Sequence, residues 1–251
     1  MILIKNSQEI KDIKKSCAIL AEVKTILWNF IRPGVSLKEI DSIAFKEITK
    51  RNAKPAFLGQ YGFKHTLCIS VNEELIHGIP SKRILKEGDL VKIDMGAIWN
   101  GMYSDSAFTK YVGNNPSEED LNLIKVAKDA FKAGFKEVKV GNRIGDISYA
   151  IGKVIKEAGY YTPLEYTGHG IGHSLHEDPY IYNDGKKDTG PLIRNGMVIC
   201  IEPMILQKTS KTKILKDGWT VVSSSGLKSS HYEQTILIEN DNAIILTGDN
   251  I

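Results

Sequence analysis

Lys86-Glu87-Gly88-Asp89-Leu90-Val91-Lys92-Ile93-Asp94 is a glycine turn, an apolar run and a carboxylate, and Arg194-Asn195-Gly196-Met197-Val198-Ile199-Cys200-Ile201-Glu202 repeats that pattern. Upstream of each copy, Pro33-Gly34-Val35-Ser36-Leu37-Lys38-Glu39-Ile40 matches Val140-Gly141-Asn142-Arg143-Ile144-Gly145-Asp146-Ile147 in glycine and apolar positions. His77-Gly78-Ile79-Pro80 and His176-Glu177-Asp178-Pro179 share an H-x-x-P frame. Any one match falls within the common grammar of strands and helix starts. All three in one order indicate a duplicated α+β unit, with halves of roughly 1–112 and 113–251 in a single domain over 1–251.

The periodicities around these copies agree with that duplication. Asn6 and Glu9 open a segment in which Ile10, Ile13, Cys17, Leu20, Val23 and Leu27 share a helical face that ends at Arg32-Pro33-Gly34. Ser36 and Glu39 form a capping-box pattern ahead of Leu37, Ile40, Ala44 and Ile48, so a second helix follows. Strands are expected at 65–71, 90–99 and 102–111, helices at 117–136 and 143–158, and strands again at 197–206, 220–223 and 232–239. Helix, helix, strands thus occurs twice.

Composition excludes several classes. The 33 basic and 30 acidic residues leave a formal net charge of +3, too little to declare a nucleic-acid or membrane partner. Cys17, Cys68 and Cys200 are an odd number without C-x-x-C spacing, each in an apolar stretch, as suits reduced thiols in a cytoplasmic protein. No N-terminal apolar region resembles a signal peptide, and no run approaches membrane-spanning length. A soluble monomer is expected.

Asn100-Gly101 signals a tight hairpin, because a type I′ turn needs positive φ at both central residues. If Trp99 pairs with Met102, Gly96 lies opposite Asp105, and Asp94 sits diagonal to Asp105 on the same face, within reach of one cation. One such aspartate would more often be solvated or paired with lysine; two facing acids in an apolar hairpin point to a divalent metal. Gly168-His169-Gly170-Ile171-Gly172-His173-Ser174-Leu175-His176 places three of the six histidines among glycines. A metal or catalytic role fits this cluster, and the odd spacing of His169 and His176 requires a bend for both to face one site. Glu202, closing an apolar run before Pro203, and Glu233, opening one after His231-Tyr232, would be costly buried charges unless paired. Two Asp, two Glu and at least one His suit a pair of divalent ions rather than a structural zinc.

These residues bring the chain into resemblance, over essentially its whole length, with type I methionine aminopeptidases, enzymes of the pita-bread fold. That fold is α+β: two pseudo-symmetric helix-helix-strand halves, an antiparallel sheet covered by helices, and a central dinuclear metal site. The resemblance is carried by His77-Gly78-Ile79-Pro80, Asp94 and Asp105, Gly168 to His173, Glu202-Pro203, Asp217-Gly218-Trp219-Thr220 and His231-Tyr232-Glu233-Gln234-Thr235. It implies Asp94, Asp105, His169, Glu202 and Glu233 as ligands to two divalent ions (cobalt, manganese, iron or zinc), with Asp105 and Glu233 touching both. It further implies that a metal-bridging hydroxide attacks the carbonyl of the N-terminal methionine of nascent chains, with Glu202 as proton shuttle. His176 would then hydrogen-bond the oxyanion and His77 the scissile amide. Phe57, Phe63, Cys68, Leu175 and Trp219 would line the methionine pocket, although Phe57, Gln60, Tyr61, Phe63 and Leu175 depart from better-known bacterial members. A small second residue should be preferred.

Two rival readings bear on the same residues. A proline-directed aminopeptidase of this fold usually carries an extra N-terminal domain, for which there is no room before the first helix. A pita-bread binding protein without catalysis would be expected to lose ligands that are all present here. The short segment between Glu202 and Glu233 also lacks the helical insertion of type II methionine aminopeptidases. Finally, Lys208, Lys211 and Lys213 form a basic loop that could neutralise ribosomal RNA phosphates near emerging chains.

Overall fold

The computed structural model describes residues 1–248. Its helices are α1 (Ser7–Phe30), α2 (Leu37–Lys50), α3 (Glu118–Lys136) and α4 (Ile144–Glu157). Each start is locally encoded. The Asn6 side chain accepts from the amides of Gln8 and Glu9 while Glu9 reaches back to the Asn6 amide, and Ser36 and Glu39 form the same reciprocal pair. Ser117 caps α3, and Asp146 accepts from the Arg143 amide at the start of α4.

The strands, in chain order, are β1 (Lys54–Pro55), β2 (Leu67–Val71), β3 (Glu74–Ile76), β4 (Leu90–Trp99), β5 (Met102–Tyr111), β6 (Gly168–Gly170) and β7 (Glu177–Ile181), followed by β8 (Val198–Ile201), β9 (Met204–Ile205), β10 (Thr212–Ile214), β11 (Val221–Ser223), β12 (Ser230–His231), β13 (Glu233–Glu239) and β14 (Asn242–Ile245). Nine of them form one antiparallel sheet in the order β1-β4-β5-β13-β8-β6-β7, with β2 on β4 and β14 on β13. The Asn100-Gly101 turn has φ of 48° and 80°, Trp99 pairs with Met102, and Gly96 lies opposite Asp105, in the expected register. One expectation is corrected: a strand over 197–206 is broken into β8 and β9 at Glu202-Pro203, because proline cannot donate to a ladder. That break turns Glu202 out of the sheet.

The repeated sequence segments make repeated bonds. Gly34 N–H donates to Leu85 and Gly141 N–H to Ile193; Leu37 donates to Arg83 and Ile144 to Pro191; Gly88 donates to Val112 and Gly196 to Ile238. Alternation then sorts the side chains. Val91, Ile93, Met95 and Ala97 of β4 pack with α1 and α2, while Ile199, Ile201, Ile236 and Ile238 of β8 and β13 pack with α3 and α4. Because side chains alternate along a strand, Asp94, Asp105, Glu233 and Cys200 face away from these two cores. Among the described residues, no helix is long and apolar enough to cross a membrane.

Candidate metal centre

Five side chains from five places in the chain meet in one cleft. Asp94 comes from β4, Asp105 from β5, His169 from β6, Glu202 from the break after β8, and Glu233 from the first residue of β13. Ligand atoms of Asp94, Asp105 and Glu233 lie within 4.8 Å of one another, as do those of Glu202, His231 and Glu233, and those of His169, Cys200 and Glu233. Glu233 belongs to all three groups. His169 Nε2 is 3.6 Å from Glu202, 3.9 Å from Asp105 and 3.9 Å from Glu233.

The hydrogen bonding around His169 shows what this arrangement needs. Its Nδ1 is 2.9 Å from the Gly170 carbonyl, which can only accept, so Nδ1 carries the proton. Burial, followed by neighbouring His176, pulls the ring's pKa down to about 3, so the imidazole is neutral. Nε2 therefore turns a lone pair towards three carboxylates. Burial pushes Asp94 up to about 6, and burial followed by the neighbouring carboxylates pushes Asp105, Glu202 and Glu233 well above the usual carboxylate range. Oxygens of Asp94, Asp105 and Glu233 are buried without a hydrogen-bond partner. A lone pair and crowded carboxyl oxygens, one of them unpartnered on each of three acids, fit divalent cations, and the imidazole is already oriented by its second nitrogen, as in metal-ligating histidines. Cys200 lies close by, but burial, followed by Glu233 and Asp105, raises its thiol pKa, and its sulfur lies 3.5 Å from the Thr235 hydroxyl. It is a poor ligand in that state.

The expected substrate residues Phe57, Phe63, Cys68, His77, Leu175, His176 and Trp219 all border the same cleft, as do Gln60 and Tyr61. Cys68 pairs with Asp94 in the β2–β4 register, which sets the apolar pocket against the acidic cluster. The Phe63 and Trp219 rings meet edge to face at 5.0 Å. The His169 and His176 rings meet edge-on at 4.5 Å, so the bend that their odd spacing demands is present. His77 has φ of 58°, a strained value for a non-glycine residue. The next residue, Gly78, packs directly on β2: a Cβ there would lie 2.2 Å from the Ile69 carbonyl oxygen. Burial lowers the pKa of His77 to about 4 and also lowers that of His176, so both rings are neutral at neutral pH.

Sequence reasoning missed His231. It is 1% exposed, its Nε2 lies 3.4 Å from Glu202, and neither ring nitrogen has a hydrogen-bond partner. The available signal was its position two residues before Glu233, which in extended chain puts both on one face. Met204, Tyr166 and Tyr180 also border the cleft and carried no local motif.

A sequence profile described as metallopeptidase family M24 matches residues 11–240. Among curated relatives, the methionine aminopeptidase of Clostridium perfringens is 44% identical over 98% of this chain and 99% of its own length. That of Borreliella burgdorferi is 46% identical over 97% of both chains. The crystal structure of methionine aminopeptidase from Thermotoga maritima superposes with a TM-score of 0.96 at 38% identity, covering 99% of this chain and 100% of that one. Prolidase from Pyrococcus furiosus gives 0.81 at 28% identity, with 99% of this chain covering 66% of that one.

Proposed function

The chain belongs to metallopeptidase family M24, and from that membership we infer that it is a metal-dependent aminopeptidase that releases the N-terminal methionine of polypeptides. The observation that carries this reading at the site is the convergence of the His169 lone pair and of one unpartnered carboxyl oxygen each from Asp94, Asp105 and Glu233, beside an apolar, aromatic pocket. The proline-directed alternative is not favoured: the prolidase is less similar and extends well beyond this chain's length, whereas the methionine aminopeptidases match nearly end to end.

In this reading Asp94, Asp105, His169, Glu202 and Glu233 would hold two divalent ions, and the place of Glu233 in all three ligand groups supports a central role for it among them. Bound divalent ions supply a Lewis acid for the scissile carbonyl and acidify a water. The chain supplies the rest. Phe57, Phe63, Cys68, Leu175 and Trp219 receive the methionine side chain, whose thioether packs well against aromatic edges. His176 donates to the developing oxyanion, His77 hydrogen-bonds the scissile amide, and Glu202, partly open to the cleft, takes the proton from the attacking water and passes it to the amine nitrogen that leaves as the C–N bond breaks. A small second residue is preferred. Three buried free cysteines suit the cytoplasm, and a monomer suffices to build the site. Lys208, Lys211 and Lys213 are exposed and available for ribosomal phosphates. Ribosome pelleting unchanged by neutralising all three would remove that last element.

The test is hydrolysis of Met-Ala-Ser by chelated protein titrated with manganese or cobalt, beside Met-Leu-Ser, Ala-Pro-Ser and the Glu202→Ala variant. Metal-dependent release of methionine from Met-Ala-Ser alone, lost in the variant, is expected. Cleavage of Ala-Pro-Ser in its place would turn the reading towards a proline-directed enzyme.

A further inference from the structure

We propose that Lys5 and Glu177 are positioning residues for His176, through a buried ion pair that fixes the turn leading to it. The inference rests on the reading of His176 as the oxyanion donor. Lys5 precedes α1, yet its side chain is 2% exposed and its ammonium lies 2.5 Å from Glu177 Oε2, itself on a side chain only 6% exposed. The other carboxylate oxygen, Glu177 Oε1, accepts the backbone amides of His173 at 2.6 Å and Ser174 at 3.1 Å. One carboxylate therefore ties the N-terminal segment to the turn whose next two residues are Leu175, in the pocket, and His176.

The surroundings are built for this crossing. A Cβ on Gly172 would come within 2.1 Å of Lys5 Cε and 2.8 Å of its Nζ, so glycine leaves the channel through which the lysine reaches Glu177. The Gly172 carbonyl accepts from Tyr103 N–H at 2.8 Å, which anchors the turn to β5. The Lys5 amide donates to Gly196, just before β8, and Glu9 pairs with His173 at 2.9 Å from the first turn of α1. The Lys5 ammonium also donates to the Leu3 carbonyl at 3.1 Å. Desolvation offsets much of the Coulomb attraction in a buried pair, so stability alone is weak reason for this one. What it contributes is direction: the lysine fixes the carboxylate, the carboxylate fixes two amides, and these set the chain that presents the His176 ring.

The experiment compares metal-loaded wild type, Lys5→Met, His176→Ala and the double variant on Met-Ala-Ser, with metal content measured for each. Lys5→Met should lower kcat about tenfold, the scale expected when a catalytic group is displaced by less than an ångström, with little change in KM. In the His176→Ala background it should cost nothing further. A purely structural role would lower the melting temperature but leave kcat per folded molecule unchanged, and would overturn the proposal. So would losses that multiply in the double variant. If Lys5→Met does not fold, Glu177→Gln carries the same test, since it keeps the shape of the carboxyl and removes the charge. Failure of the functional reading shows separately, as a wild type that does not release methionine or a His176→Ala variant that keeps full kcat.

Discussion

A histidine whose second nitrogen is already committed to a carbonyl, as His169 is to Gly170, cannot also satisfy the carboxylates facing it. Chemistry at this cleft is thus set atom by atom, and substitutions in the neighbouring apolar pocket should separate substrate binding from metal binding. Cys68 is the sharpest case, with its backbone paired to Asp94 and its thiol among Phe57, Phe63 and Leu175. Cys68→Trp should fill the space that methionine needs. Overpacking of about 3 kcal/mol on the bound state corresponds to roughly a hundredfold loss of kcat/KM. Metal content by elemental analysis should stay at the wild-type level, and undiminished turnover would show that the side chain of methionine goes elsewhere.

At the level of elements, caps and turns carry separable contributions. Ser36→Ala removes the hydroxyl that accepts the Glu39 amide and donates to the Glu39 carboxylate, and should cost about 1 kcal/mol in urea denaturation while leaving kcat unchanged. Thr235 does more. Beyond the Gln234–Ser106 pair, its hydroxyl accepts the Asp105 amide at 3.1 Å and donates to the Asp105 carbonyl at 2.7 Å, standing in for missing strand pairing. Thr235→Val keeps the shape, orphans both groups, and should destabilise the protein by about 2 kcal/mol, with weaker metal retention in dialysis. Caps, the Asn100-Gly101 hairpin and the five acidic and histidine positions were legible in the sequence, because each is encoded within a few neighbouring residues. The two-residue strands β1, β9 and β12 were not: they exist only where distant segments meet, and no local periodicity records them. The break at Glu202-Pro203 was open to reading, since proline marked it, yet the apolar run on either side concealed it.

Across the whole molecule, the crowding of acids makes stability depend on metal and pH together. The four histidines of the cleft have lowered pKa values, so their effect is felt as pH falls below their unfolded value of about 6.5 and is spent above it. The carboxyl groups of Asp105, Glu202 and Glu233 run the other way. With pKa values raised in the folded state, they favour folding while protonated and withdraw that support as pH rises through those values. Chelated protein should therefore melt at a lower temperature at pH 8 than at pH 6.5, and metal should reduce the difference; equal melting of the chelated form at both would mean that the acids do not strain one another. The sheet adds a temporal side to this. Its central strands, β5 and β13, share only the pairs Glu233–Ala107 and Gln234–Ser106, with Asp105 on one bank and Glu233 on the other. Such a seam should breathe before the rest of the sheet, and amide hydrogen exchange at residues 105–107 and 233–235 should be the fastest in these strands without metal and slow once an ion spans the two banks. Loading the enzyme and closing its sheet would then be one event, observed from two sides.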